Sequence, residues 1–277
     1  MKLQDKFKKV REAKSAILAT NFYNYETLKG VLTAAKITGS PIILQLTQSS
    51  IDYMTMPVAL SMARAAIKEY NVEAWIHLDH GGSIDLAKSC LDAGFDSVMI
   101  DASEEPIGKN IEITKQVVKY AQSYNASVEA ELGYIAKLGQ DKAKLGFTEP
   151  ADAKRFVDET GVNALAISIG SAHGFYTREP KLDMERLSAI REITDVALVL
   201  HGSSGIPHDQ LQEAVNRGIA KINLATEIKN MFMMSLKEIL SNNDEIDLRK
   251  VFPKATDRVI ALVKEKLEVV KNSTVAI

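Results

Sequence analysis

The sequence predicts an α/β chain folded as a single (β/α)8 TIM barrel over residues 1–277, and three observations carry that expectation. Eight short apolar runs alternate with segments of helical periodicity. No Pro- or Gly-rich linker between them is long enough to separate domains. The first run is not followed by the Gly-x-Gly-x-x-Gly turn of a dinucleotide-binding sheet, which favours the barrel over a doubly wound open sheet. With 46% hydrophobic and 25% charged residues, the chain can bury the core such a barrel needs.

The elements follow in order. Residues 2–14 carry Leu3, Phe7 and Val10 at helical spacing, an amphipathic helix expected to cover one end of the barrel. Residues 16–21 read as the first strand, 25–38 as a helix stopped by Gly39 and Pro41, 41–47 as the second strand and 57–70 as a helix. The third strand, in residues 74–82, runs from apolar positions into Asp79, His80 and two glycines, a buried strand ending at a polar mouth. A helix at 83–93, with Ser83 as N-cap and Gly94 as stop, leads to a strand at 97–101. A helix at 111–124 and a strand at 127–131 come next. Residues 133–146 hold three lysines and three glycines and read as a mobile loop. The pattern closes with helix 150–160, strand 164–168, helix 182–193, strand 197–200, helix 208–217, strand 220–224 and helices 226–240 and 255–270.

A formal charge of −2 and a pI near 6.3 offer no overall basic surface, so no nucleic-acid partner is expected and small polar substrates fit better. No apolar run approaches the ~18 residues of a membrane span, and the charged N-terminus lacks an apolar targeting core. The single Cys90, in helical register with Leu86, Ala87 and Leu91, reads as a buried core residue. A cytoplasmic location without a membrane partner is the expectation.

In a barrel the C-terminal ends of the strands converge on one mouth. Here those ends carry Asn21 and Asn24, Thr47, Asp79 and His80, Asp101, Glu131, His173, His201 and Asn223. Of five histidines, His80, His173 and His201 each stand just past a strand and before a glycine. A single such histidine is ordinarily a hydrogen-bonded turn. Three at one mouth make the ligand set of a catalytic Zn²⁺ or a related divalent ion. His77 lies inside its strand, where a structural or supporting contact fits better. Asp79 precedes a ligand candidate, and adjacent strand residues point to opposite faces unless the strand has ended; Gly81 and Gly82 permit a turn that brings both inward. Asp79 then suits proton transfer to a substrate oxygen, or else caps the helix near Ser83. Glycine-rich turns at 170–174 and 201–205, with the turn at 223–226, match the phosphate site that barrels build late in the chain. Lys221 opens the eighth strand on the face opposite the mouth residues, and no lysine stands at a strand end, which argues against a covalent-lysine mechanism.

The stretches at 77–81 (HLDHG), 96–101 (DSVMID), 128–133 (VEAELG), 170–174 (GSAHG), 200–205 (LHGSSG) and 221–227 (KINLATE) resemble the zinc-dependent class II ketose-bisphosphate aldolases, among them fructose- and tagatose-bisphosphate aldolases. The resemblance covers nearly the whole chain, with the motifs in matching order. It implies His80, His173 and His201 as zinc ligands, Asp79 as proton donor, and Asp101 and Glu131 at an alternative or neighbouring metal position. It implies that Gly174, Gly202, Ser203, Ser204, Asn223, Leu224, Ala225 and Thr226 hold dihydroxyacetone phosphate, with a monovalent cation there in some members. Asn21, Asn24 and Thr47 fall near the implied substrate pocket. The implied reaction is reversible cleavage of a ketose 1,6-bisphosphate to dihydroxyacetone phosphate and glyceraldehyde 3-phosphate through a zinc-stabilised enediolate, in a homodimer or homotetramer. Ala225 leans toward tagatose-type members.

Two departures stand out. Family members usually carry Gly-Gly-x-Glu-Asp on the loop after the fifth strand, and its glutamate exchanges a proton with the substrate carbon. Residues 135–144 here read IAKLGQDKAK, which leaves Asp141 as the one carboxylate in that run. The turn Thr47-Gln48-Ser49-Ser50 lacks the usual glycine. The altered loop keeps open an aldolase for another phosphorylated ketose, or a phosphosugar-binding sensor without turnover.

Overall fold

In the computed structural model, which describes residues 1–135, 146–176 and 179–271, the eight strands pair in parallel in sequence order and the last closes on the first. They are β1 (Ile17–Asn21), β2 (Ile42–Leu46), β3 (Ala74–Gly81), β4 (Ser97–Ile100), β5 (Ser127–Leu132), β6 (Ala164–Ile167), β7 (Ala197–Leu200) and β8 (Ile219–Leu224). Their side chains are buried on both faces, and those turned toward the helices are apolar. The described helices are α1 (Leu3–Glu12), α2 (Tyr25–Thr38), α3 (Gln48–Met54), α4 (Met56–Tyr70), α5 (Ile84–Ala93), α6 (Ile107–Ala121), α7 (Pro150–Thr160), α8 (Met184–Ile193), α9 (His208–Asn216), α10 (Thr226–Ser241) and α11 (Leu248–Val270). Among the described residues none is long and apolar enough to cross a membrane.

Two hydrophobic clusters hold the fold. The larger lies between the strands and the surrounding helices and includes Leu18, Leu44, Ile76, Val98, Leu165, Leu198 and Ile222 from the strands. Burying a side chain of this size contributes roughly 1.5–3 kcal/mol. The smaller fills the floor of the barrel, where Ile17, Ala19, Ile43, Trp75, Ala166 and Val199 meet Leu3, Phe7 and Val10 of α1. The indole Nε1 of Trp75 donates to the Met1 carbonyl at 3.1 Å, pinning the N-terminus across that end. Above the floor, the interior positions turn polar: first His77, Ser97, Glu129 and Lys221, then Asn21, Gln45, Asp79, Glu131 and Asn223.

Three elements differ most from the expectation. α3 is a helix where the sequence suggests a loop, because Thr47-Gln48-Ser49-Ser50 shows no apolar period; Thr47 caps it, accepting from the Ser50 amide. α6 begins at Ile107 rather than 111. α11 begins at Leu248, earlier than the expected 255, and accommodates Pro253 inside it.

Candidate active site

The mouth is shaped by a bulge in β3. Leu78 pairs with Val98 and Gly81 with Ile100, so β3 spends one more residue than β4 over this step. His80 takes up the excess in the left-handed region, with φ of 50°. Asp79 and His80 therefore both reach the mouth without the strand ending, and the turn lies at His80 rather than in the glycines after it. Gly81 is required for another reason, since a Cβ there would sit 2.4 Å from the Met99 carbonyl oxygen. The bulge brings β4 that close.

His80, His173 and His201 converge at this point. Their ring centroids are 4.9 Å apart for His80 and His173, 4.7 Å for His80 and His201, and 5.9 Å for His173 and His201, and their nearest ring nitrogens lie within 4.8 Å of one another. His80 Nδ1 lies 2.7 Å from Asp101 Oδ2, which leaves Nε2 facing inward. That nitrogen is 3.0 Å from His201 Nδ1. Burial opposes charge on His80, but the Asp79 carboxylate and the hydrogen bond to Asp101 outweigh it and push its pKa up to about 9. His201, fully buried and beside charged His80 and Lys221, is held well below the ordinary imidazole value. The 3.0 Å approach of the two inward nitrogens fits one hydrogen bond between them, and a divalent cation would take the same lone pairs in place of that proton. Three imidazoles at this spacing fit a zinc ion.

Asp79 is almost fully buried and receives three amide donors. Asn21 Nδ2 donates to Oδ2 at 3.0 Å, and Gln45 Nε2 and Asn223 Nδ2 donate to Oδ1 at 3.2 and 3.3 Å. Burial raises its pKa, but His80, His201, Lys221 and the Asn21 amide together lower it below the ordinary carboxylate value. It does not cap α5, whose first turn is held by Ser83. Gln45 is a site residue that sequence reasoning misses, although it is the one polar residue inside the apolar run of β2.

Asp101 and Glu131 flank His80 and, with it, form a second group whose ligand atoms lie within the same 4.8 Å limit. Asp101 also accepts from the Ser103 amide and hydroxyl. Burial and the nearby Asp101 charge push the Glu131 carboxyl up to about 8. Its Oε2 is buried with no hydrogen-bond partner among the described residues, as expected of an atom aimed at an ion.

The mouth opens into a cavity of about 1130 Å³ whose lining includes Asn21, Thr47, Asp79, His80, Asp101, Glu131, His173, Gly174, Ala225, Thr226 and Lys229. Lys229 also escapes sequence reasoning, since it lies a turn into α10 rather than at a strand end. The turn after β7 lies against the start of α10: Ser204 accepts from the Glu227 amide, Ser203 donates to the Asn223 carbonyl, and the Gly205 amide donates to Glu227 at 2.7 Å. Gly202, at φ 66°, passes so close to Ala172 that a Cβ would lie 2.4 Å from its carbonyl oxygen. The side chain of Leu224 is buried in the apolar shell, so only its backbone faces this region.

Two expected site residues are not among these. Asn24 does not line the cavity; its side chain accepts from the Thr27 amide and caps α2 in a capping box. Asp141 lies outside the described residues. Lys221 requires a correction as well. It points into the barrel, fully buried, because it stands two residues from Asn223 and strand side chains alternate with period two. It lies beneath the histidines and is not part of the cavity lining, which keeps it from a substrate carbonyl.

Comparison with known proteins shows the family of the chain. Residues 1–274 match the family described as fructose-bisphosphate aldolase class-II. A fructose-bisphosphate aldolase from Geobacillus stearothermophilus is 38% identical over 262 residues, 92% of this chain and 91% of the relative. Among solved structures, the YdjI aldolase from Escherichia coli K12 superposes with a TM-score of 0.86 at 28% identity, covering 99% of this chain and 98% of that one. A Coccidioides immitis protein gives 0.89 at 28% identity, over 97% and 96%.

Proposed function

Because the chain belongs to the class-II fructose-bisphosphate aldolase family, we propose that it reversibly cleaves a ketose 1,6-bisphosphate, of fructose or tagatose configuration, to dihydroxyacetone phosphate and glyceraldehyde 3-phosphate. The observation that carries this reading is the meeting of His80, His173 and His201 beside a buried Asp79 held by three amides at one strand-end mouth. The three histidines would hold zinc, with Asp101 and Glu131 offering a neighbouring position. When bound, the ion supplies Lewis-acid polarisation of the substrate ketone.

The chain's own groups account for the rest. Asp79, fixed by three amides, accepts the proton of the carbon-4 hydroxyl during cleavage and returns it to the aldehyde oxygen during condensation. Gly174, the run from Gly202 to Ser204 and the backbone from Asn223 to Thr226 hold the phosphate of dihydroxyacetone phosphate at the start of α10, where helix-end amides favour an anion. A monovalent cation belongs to the same phosphate site. Lys229 adds a positive charge on that side. Asn21 and Thr47 contact the sugar. Asp141 serves proton exchange at the carbon beside the ketone, in the place of the family's loop glutamate. The protein acts in the cytoplasm as a homodimer or homotetramer, following its family's habit.

The test is a panel of ketose mono- and bisphosphates, following triose-phosphate release with zinc-loaded protein and again after chelation. Release from a 1,6-bisphosphate, abolished by chelator, is the expected result. Release only from another phosphorylated ketose would favour the second reading, which the altered sequence at 135–144 motivates. Binding of every sugar with turnover of none would point to a sensor.

A further inference from the structure

Below the three histidines, where barrels of this kind usually stack branched aliphatic side chains, the chain buries an ion pair. Lys221 of β8 is fully buried and Glu129 of β5 nearly so, and Lys221 Nζ donates to Glu129 Oε2 at 2.6 Å. Such a pair gains little over well-packed apolar side chains, because both charges lose their hydration. Its geometry suggests another role.

The second oxygen, Glu129 Oε1, lies 2.9 Å from His201 Nε2. A carboxylate only accepts, so this nitrogen carries the proton and the lone pair of the ring falls on Nδ1. Nδ1 is the atom that faces His80 Nε2 at 3.0 Å and Glu131 Oε2 at 4.0 Å. Asn223 Nδ2 stands 3.1 Å from His201 Nε2 and, as a donor, favours the opposite tautomer. The charge-assisted bond to Glu129 is the stronger of the two, and the Asn223 amide has Asp79 as its other acceptor. Lys221 also donates to His77 Nε2 at 3.3 Å, and His77 Nδ1 donates to Ser97 Oγ at 2.6 Å. An ammonium only donates, so the directions of the bonds to Glu129 and His77, and through His77 to Ser97, are set from Lys221.

We infer that Glu129, anchored by Lys221, is a positioning residue for the metal centre: it fixes His201 as the Nε2–H tautomer and presents Nδ1 to the divalent cation. The inference rests on the metal reading proposed above and extends it to a layer that touches neither ion nor substrate. Hydrogen-bonded supports of metal-bound imidazoles commonly set affinity by roughly 10- to 100-fold.

The test has two readouts. In ¹⁵N-labelled full-length protein, metal-free and zinc-loaded, a two-bond ¹H–¹⁵N spectrum reads which nitrogen of His201 is protonated. Nε2–H is expected, and Nδ1–H overturns the inference. Zinc affinity is then measured by competition with a chromophoric chelator in Glu129→Gln and in a Glu129→Met, Lys221→Met double variant, which removes both charges together and keeps the volume filled. Both variants should bind zinc roughly 10- to 100-fold more weakly than wild type, the double variant without loss of melting temperature. Affinity within about twofold of wild type in the folded double variant overturns the inference. A wild-type protein that itself binds no zinc sinks the metal reading, while the spectrum still reports the tautomer.

Discussion

Asp79 is oriented by neutral amides from three strands, β1, β2 and β8, rather than by a direct partner of opposite charge. Such a carboxylate stays available for a proton while its direction is fixed. Asp79→Asn should therefore lower kcat by about 10²–10⁴-fold with zinc content unchanged, read by triose-phosphate release and elemental analysis together. Loss of zinc with the activity would instead make Asp79 a support of the metal site. Asn24→Ala should cost about 1 kcal/mol in urea unfolding and leave KM where it was, because its oxygen caps α2. A raised KM would return Asn24 to the substrate pocket. Much of the mouth is legible in the sequence because barrels put chemistry at strand ends, and His80, Asp79, Glu131 and His201 stand there. Gln45 is not, because one glutamine in an apolar strand looks like any satisfied core amide until its partner is known. Lys221 is easily misread from its place early in β8, although alternation from Asn223 puts both on one face.

At the level of elements, the bulge in β3 sets the position of His80, a proposed metal ligand. The sequence signals a turn through Gly81 and Gly82, but the left-handed residue is His80; histidine is enriched at positive φ among non-glycine residues, yet two adjacent glycines are the stronger signal. Gly81 is needed for room rather than for conformation. Gly81→Ala, which drives a Cβ against the Met99 carbonyl, should cost about 1–3 kcal/mol of unfolding free energy and weaken zinc binding together. Full stability with normal zinc affinity would show that β4 can move aside. The strands themselves are legible from their apolar runs. α3 is hidden by a polar start, and the first turns of α11 by a proline that the helix accommodates.

Across the whole molecule, the three histidines come from β3, from the segment after β6 and from the end of β7, so one ion would tie distant parts of the sheet together. Chelation should lower the melting temperature, and zinc at about 100 times its dissociation constant should restore about 2.7 kcal/mol. An unchanged melting curve with and without chelator would mean that the ion is not held by the folded barrel alone. Cys90 offers a second view of global opening. Burial pushes its thiol up to about 12, so alkylation should wait for unfolding and slow further when zinc is bound. Prompt alkylation of the native protein would place local fluctuation near α5. The floor of the barrel provides a third. Trp75 is the single tryptophan, sealed there by α1 and bonded to the Met1 carbonyl. Its fluorescence is therefore a one-site optical gauge at the end of the barrel opposite the mouth. A red shift of emission that precedes loss of the metal during denaturation would time the lifting of the N-terminal helix separately from the collapse of the catalytic end.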